Sequence, residues 1–184
     1  MSVKVNPLGN INNFSKLKDS FDKNKDRKWT DWLDYESLFA KPGKQGVVGI
    51  LKTKKDGKEC VFKLSQEIDN LVIHEYTVME GLNEMMAYCP HFCKSLGLVE
   101  YQRNPNAIKK ENPFVQKRDV KYMITEKMLV QEYVDKSNKF YNYITSGTKI
   151  EEDILYSTIK QVLMAITMAQ RQKRFSHYDL HSLN

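Results

Sequence analysis

Long apolar runs are what this sequence most clearly lacks. Its most apolar stretch, residues 162–169, falls well short of the roughly 20 residues that a membrane-spanning helix needs. No crossing of a bilayer is therefore expected. Residues 1–14 are polar and rich in asparagine, without the basic lead and apolar core of a secretory signal, so an intracellular, cytoplasmic site is the default. Cysteine is scarce as well. Cys60, Cys89 and Cys93 are 3 among 184 residues, an odd number that excludes a fully paired disulfide framework and fits a reducing compartment. Cys89, His91 and Cys93 stand close together, but the two ordered ligand pairs of a structural zinc are missing. Buried thiols beside a turn are the expectation there.

Acidic residues are outnumbered, 23 against 29 basic, for a net charge of +6. That balance favours contact with phosphate without identifying its carrier. The basic residues between Lys16 and Lys28 alternate with Asp19, Asp22 and Asp26, and such mixing of sign argues against a nucleic-acid arm. What is present in quantity, 41% hydrophobic and 11% aromatic residues with 28% charged, excludes disorder and collagen-like repeats. It fits one compact domain or part of a larger one.

Residues 1–37 read as an extension, a mobile arm leading into a short helix that docks through Trp29, Trp32 and Leu33. Between residues 37 and 65 the pattern is β. Leu38-Phe39, then Gly43 through Gly49 into Ile50-Leu51, then Cys60-Val61-Phe62-Lys63-Leu64 predict three antiparallel strands. Asp56-Gly57 between two alternating runs is a strong hairpin signal. Over residues 68–86 the period becomes helical, with Ile68, Leu71, Val72, Met79, Leu82 and Met86 on a stripe. Glu75 falls on that stripe, where an unpaired carboxylate is costly and a partner is required. Glu80 falls off it and is expected in solvent.

After Pro90, residues 92–99 read as a strand, and residues 102–121, charged and without apolar periodicity, as an exposed insertion. Strands follow at 122–124 and 128–134, then a short helix at 140–144. Residues 151–174 carry the longest helical signal, with Ile154, Leu155, Ile159, Val162, Leu163, Ile166 and Ala169 on one side. His177-Tyr178-Asp179-Leu180-His181-Ser182-Leu183-Asn184 comes last.

The order of these parts resembles the protein-kinase-like family over residues 38–184: a glycine-rich turn between strands, a strand lysine, a helix with an inward glutamate, more strands, a long helix, and His-x-Asp-x-x-x-x-Asn. The frequent Lys, Asn, Tyr and Ile, with Cys89-Pro90-His91-Phe92 leading into Lys94, make it similar to divergent members from large DNA viruses. The resemblance implies an α+β fold: a small lobe of antiparallel sheet plus one helix at 38–134, interrupted by the insertion, and the first helices of an incomplete large lobe at 135–184.

The same resemblance implies a site for ATP and Mg2+. Gly46 and Gly49 would cover the phosphates, and Leu51 and Val61 would enclose the adenine. Lys63, paired with Glu75, would hold the phosphates. Gln131 would border the back of the pocket, with Glu132 and Tyr133 at the hinge. Asp179 would be the base that accepts the substrate hydroxyl proton, His177 would brace its loop, and Asn184 would bind magnesium.

Two departures narrow this. Tyr178 stands in place of the arginine that reads a phosphorylated activation loop, and His181 in place of the usual lysine of serine/threonine kinases, giving an Asp-Leu-His shared with small-molecule and atypical kinases that leaves the substrate class open. No Asp-Phe-Gly follows Asn184, so the expectation is a truncated phosphotransferase, of the serine/threonine kinase class, with negligible turnover. The alternative is an inactive kinase-like binding or scaffold protein. Its expected partners are a nucleotide and either a protein substrate or a second polypeptide covering the helix at 151–174, with no specific nucleic acid and no membrane.

Overall fold

The computed structural model describes residues 7–39, 46–65, 69–103, 122–135, 137–147 and 149–182. The chain divides into two compact units, Met1–Glu80 with Lys94–Tyr133, and Gly81–Cys93 with Val134–Asn184. The fold is α+β. Among the described residues no helix is long and apolar enough to cross a membrane.

The first unit is built on an antiparallel sheet of β1 (Leu33–Leu38), β2 (Gly46–Thr53), β3 (Glu59–Ser65), β4 (Ser95–Arg103) and β5 (Ile124–Glu132), in the order β1-β2-β3-β5-β4. The Asp-Gly signal sits where the hairpin needs it. Gly57, at φ 64°, takes the left-handed conformation that closes the β2–β3 loop, while the Thr53 amide donates to the Lys58 carbonyl. Thr53 donates from its hydroxyl to Asp56, and Lys58 Nζ lies 2.7 Å from the same carboxylate.

These two partners, Lys58 first, hold the Asp56 carboxyl below its ordinary 3.8. A carboxyl depressed on folding stabilises the fold above the unfolded value, and that contribution is lost as pH falls through the lower, folded one. Asp56→Asn should therefore lower stability at neutral pH and flatten the decline below about pH 4. Thermal unfolding from pH 2 to 7 checks this, and an acid limb as steep as the unaltered chain's contradicts it.

Register decides which residues share a face. Val48 lies across from Lys63, Ile50 from Val61, Lys63 from Leu129 and Val61 from Gln131, so all six point one way. α2 (Asp69–Asn83) packs on this face, with Val72 and Met79 forming a core with Leu129, flanked by Tyr76 and Leu98. The opposite face carries Leu51, Cys60, Phe62 and Leu64, all buried. Along α2 the buried residues are Val72, Met79 and Leu82, with Tyr76 half-buried on the same stripe. Leu71, expected inside, is instead 53% exposed, because it lies one residue, about 100° of helix, from Val72. Met85 rather than Met86 is the buried methionine, since the helix ends at Asn83. Glu80 is not left in solvent: Ser95 donates a hydrogen bond to it. The Tyr76 phenol is raised above its usual value by burial, with the Glu80 charge adding to the effect.

The extension is where the structure departs furthest from expectation. Its helix, α1 (Pro7–Asp22), comes before the tryptophans and docks by Phe14, Leu17 and Phe21. Trp29 and Trp32 are buried in a short 3-10 turn, with Phe21 edge-on to Trp32 at 5.4 Å. Leu33, buried, opens β1, so the first strand begins inside the stretch read as an arm. The strand read at 92–99 runs from Ser95 to Arg103, and the two short strands read at 122–134 are the single β5. Residues 104–121 of the insertion lie outside the described residues.

In the second unit, α3 (Phe140–Thr145) and α4 (Glu152–Lys173) accompany the 81–93 segment. Tyr88 donates a hydrogen bond to Gln172, and Lys173 pairs with Glu84. Arg174, at φ 53°, ends α4 in the left-handed conformation, its amide donating to the Ala169 and Gln170 carbonyls. Ala165 and Ala169 are buried on α4, while Ile154, Ile159, Val162 and Leu163 are exposed.

Candidate functional site

Lys63 and Glu75 meet. The strand lysine Nζ lies 2.5 Å from Glu75 Oε2, with side chains 29% and 34% exposed. Strand alternation puts Lys63 on the face that α2 covers, and Glu75 comes from the edge of the buried α2 stripe. That edge position is why the pair stays half-open, so the lysine is held yet accessible. Val48, Ile50, Val61 and Gln131 share its face, the first two and Gln131 half-buried. A cation beside an accessible apolar surface is suited to a flat ring joined to an anionic group.

The register also corrects one assignment. Leu51 pairs with Cys60, is 0% exposed, and points away from Val61 and Lys63. The apolar residues on the lysine's face of β2 are Val48 and Ile50, and Gly46 followed two residues later by Val48 fits the ending of a Gly-x-Gly-x-x-Gly-x-Val loop better than Gly49 and Leu51 do. Gly43, which would supply the preceding glycine in that frame, lies outside the described residues. Counting strand pairs back from the Asp56-Gly57 turn would have found Val48 in the sequence.

Both β2 glycines are explained by close packing. A Cβ on Gly46 would run into the Leu64 carbonyl, and one on Gly49 into the Ser37 carbonyl and the Phe62 ring. Gly49 lies on the face opposite Lys63, across from Phe62.

Gln131 lies across from Val61, on the Lys63 face. Glu132 points to the other side. Its carboxylate receives Lys94 Nζ at 3.0 Å on each oxygen and the Lys94 amide at 2.9 Å. Tyr133 stacks on Phe39 at 6.2 Å.

The second unit holds the remaining sequence candidates. His177 is half-buried, with its ring edge-on to Phe175 at 6.0 Å, and Phe175 in turn packs on Phe92 at 5.8 Å. His177 Nδ1 is buried without a hydrogen-bond partner among the described residues. Asp179 is strongly exposed. Its amide donates to the His177 carbonyl at 2.7 Å, and its carboxylate lies 3.6 Å from His181 Nε2. Ser182 accepts a hydrogen bond from the Tyr141 amide at 2.8 Å, tying the loop to α3. Tyr178, 98% exposed at φ 57°, forces the turn that separates His177 from Asp179. Left-handed backbone at a bulky residue is rare and concentrates at functional loops. Asn184 lies outside the described residues.

No group of three or more His, Cys, Asp or Glu side chains placed to hold a metal occurs among the described residues. Of the three thiols, Cys60 and Cys89 are buried, but Cys93, expected inside, is exposed. Burial pushes the Cys60 thiol up to about 12, which makes it a poor nucleophile at neutral pH. Maleimide at pH 7 should modify Cys93 alone in the native chain and all three on unfolding. Native labelling of Cys60 would contradict the placement of β3.

Compared with known proteins, the chain matches no family pattern over any part of its length. It is 28% identical over 191 residues to an uncharacterized protein, 038R, of Invertebrate iridescent virus 3, covering 83% of this chain and 33% of that protein. It is 24% identical over 163 residues to "Probable kinase 098L" of the same virus, covering 83% of this chain and 25% of the relative. A further relative, the uncharacterized 098R of Invertebrate iridescent virus 6, is 23% identical over 164 residues, 71% of this chain and 27% of that protein. The chain thus spans between a quarter and a third of the curated relatives it matches, and one of those relatives carries the name of a kinase.

Proposed function

We infer that the chain belongs to a protein-kinase-like phosphotransferase of the serine/threonine class, and that its first unit contributes the nucleotide-binding half. The observation that carries this reading is the Lys63–Glu75 pair. A lysine on the third strand, an apolar face of Val48, Ile50 and Val61 beside it, and a glutamate from the next helix make up the set that holds ATP phosphates and adenine in that class. The relative named as a probable kinase supports the same direction.

On this reading ATP supplies the phosphoryl group, with Mg2+ neutralising its charge. Lys63 binds the phosphate oxygens and Glu75 keeps the lysine aimed. Val48 and Val61 would contact the adenine, Gln131 would border it, and the backbone at Glu132 and Tyr133, apart from the Glu132 amide that the Lys94 carbonyl holds, would hydrogen-bond its edge. In the second unit Asp179 would accept the proton of the acceptor hydroxyl, His177 would anchor its loop through Phe175, and Asn184 would be the residue to hold magnesium. Calorimetric titration with MgATP is the test. Saturable binding that Lys63→Met weakens supports the reading, and no heat of binding at millimolar nucleotide would refute it.

The proposal extends to a protein partner over α4, supported by the exposure of Ile154, Ile159, Val162 and Leu163 on one helix. Exposed apolar clusters of this kind mark interaction surfaces. A hydrophobic dye should bind the chain and lose most of its signal in a Val162→Glu, Leu163→Glu variant. An unchanged signal would place the dye, and the partner, elsewhere.

A further inference from the structure

The helix of the N-terminal extension reaches the segment read as the hinge through a buried charge. Lys94 is only 6% exposed. Its ammonium is held by both oxygens of Glu132, at 3.0 Å each, and lies 5.4 Å from the centre of the Phe14 ring of α1. The two residues are also tied through the backbone: the Glu132 amide donates to the Lys94 carbonyl at 2.9 Å, and the Lys94 amide to Glu132 Oε1 at 2.9 Å. Phe14 is itself buried, and α1 is fastened beside it by Lys18 Nζ on the Leu96 carbonyl at 2.6 Å and by Phe21 against Gly97.

A buried lysine needs all of its partners, because water can replace none of them. Glu132 and Lys63 point to opposite faces of the sheet, so this network acts on the hinge backbone from behind.

We propose that α1 sets the position of the Glu132–Tyr133 backbone through Phe14 and Lys94, making both positioning residues for adenine recognition. The proposal rests on the nucleotide reading of the Lys63 face. Loss of the ring should loosen Lys94, then Glu132, and so weaken the part of nucleotide binding that depends on the hinge while sparing the part that depends on Lys63.

The test uses the full chain with two probes, adenosine and inorganic triphosphate, together with amide exchange at Glu132 and Tyr133 without ligand. Phe14→Leu keeps an apolar side chain and removes the ring. It should weaken adenosine roughly fivefold, a fraction of one desolvated cation–π contact because the ring acts through Lys94 and Glu132, leave triphosphate unchanged, and speed exchange at Glu132. Because Lys94→Met alone would strand a buried carboxylate, the second variant is Lys94→Met with Glu132→Gln. It should reproduce the adenosine loss, and adding Phe14→Leu to it should weaken binding no further.

Equal loss of both probes, meaning general destabilisation, or unchanged exchange at Glu132, would overturn the coupling. Failure of the unaltered chain to bind either probe would instead overturn the nucleotide reading, and with it the adenine role. The exchange result would still decide whether α1 holds the hinge.

Discussion

Lys63→Met is expected to weaken binding of ATP and of inorganic triphosphate by about ten- to a hundredfold while leaving adenosine within about twofold. A hydrogen bond to a charged group contributes roughly 1.5 to 3 kcal/mol, and each 1.4 kcal/mol is about a factor of ten. The ammonium is the cation of the Lys63–Glu75 pair on the Val48 and Val61 face, so its loss removes the phosphate half of the interaction alone. Folding should be little affected. A half-exposed ion pair contributes only about 0 to 1 kcal/mol after solvent screening, so the unfolding temperature should stay close to that of the unaltered chain. Calorimetry with the three ligands separates these outcomes. Loss of adenosine binding in step with ATP would mean that Lys63 supports the fold rather than the phosphates.

Gly97→Val should be the most destabilising single change in the first unit, by about 3 kcal/mol or more. Gly97 sits at the irregularity between Ser95 and Gly97 in the β4–β5 pairing, at φ 151°, where a side chain is strained. A Cβ there would also meet the Phe21 ring that docks α1. Strain and overpacking each cost about 1 to 3 kcal/mol, against a typical domain stability of about 5 to 15 kcal/mol. Urea unfolding measures the effect, and exchange of the α1 amides should rise in the same variant. A midpoint unchanged from the parent, with α1 still protected, would contradict the docking of α1 on β4.

The parts legible in the sequence were those set by local chemistry or by a short period. Asp56-Gly57 announced its hairpin because a left-handed residue is needed there. Glu75 pointed to its partner because a carboxylate at the edge of an apolar stripe, half-open to solvent, is placed to meet a cation from the facing strand. α3 and α4 followed from their periodicity to within a residue or two.

What was not legible depends on contacts between residues far apart in the chain. Phe14 and Phe21 read as part of a polar arm because their stripe is completed by Gly97 and Lys94, about 80 residues on, and nothing local to α1 shows it. The β2 frame slipped for a related reason. Three glycines at equal spacing, Gly43, Gly46 and Gly49, allow two alignments, and only the pairing of Val48 with Lys63 chooses between them. Cys93, close to buried Cys89, was expected inside, yet it lies after the turn that leads into β4, where the chain is exposed.

Binding of ATP at the Lys63 face of the first unit would be read from amide chemical shifts recorded during titration with MgATP. Saturable shifts are expected at Val48, Val61, Lys63, Gln131 and Tyr133, with the Lys63 shift absent when adenosine replaces ATP. Shifts confined to other residues, or none up to millimolar nucleotide, would contradict it.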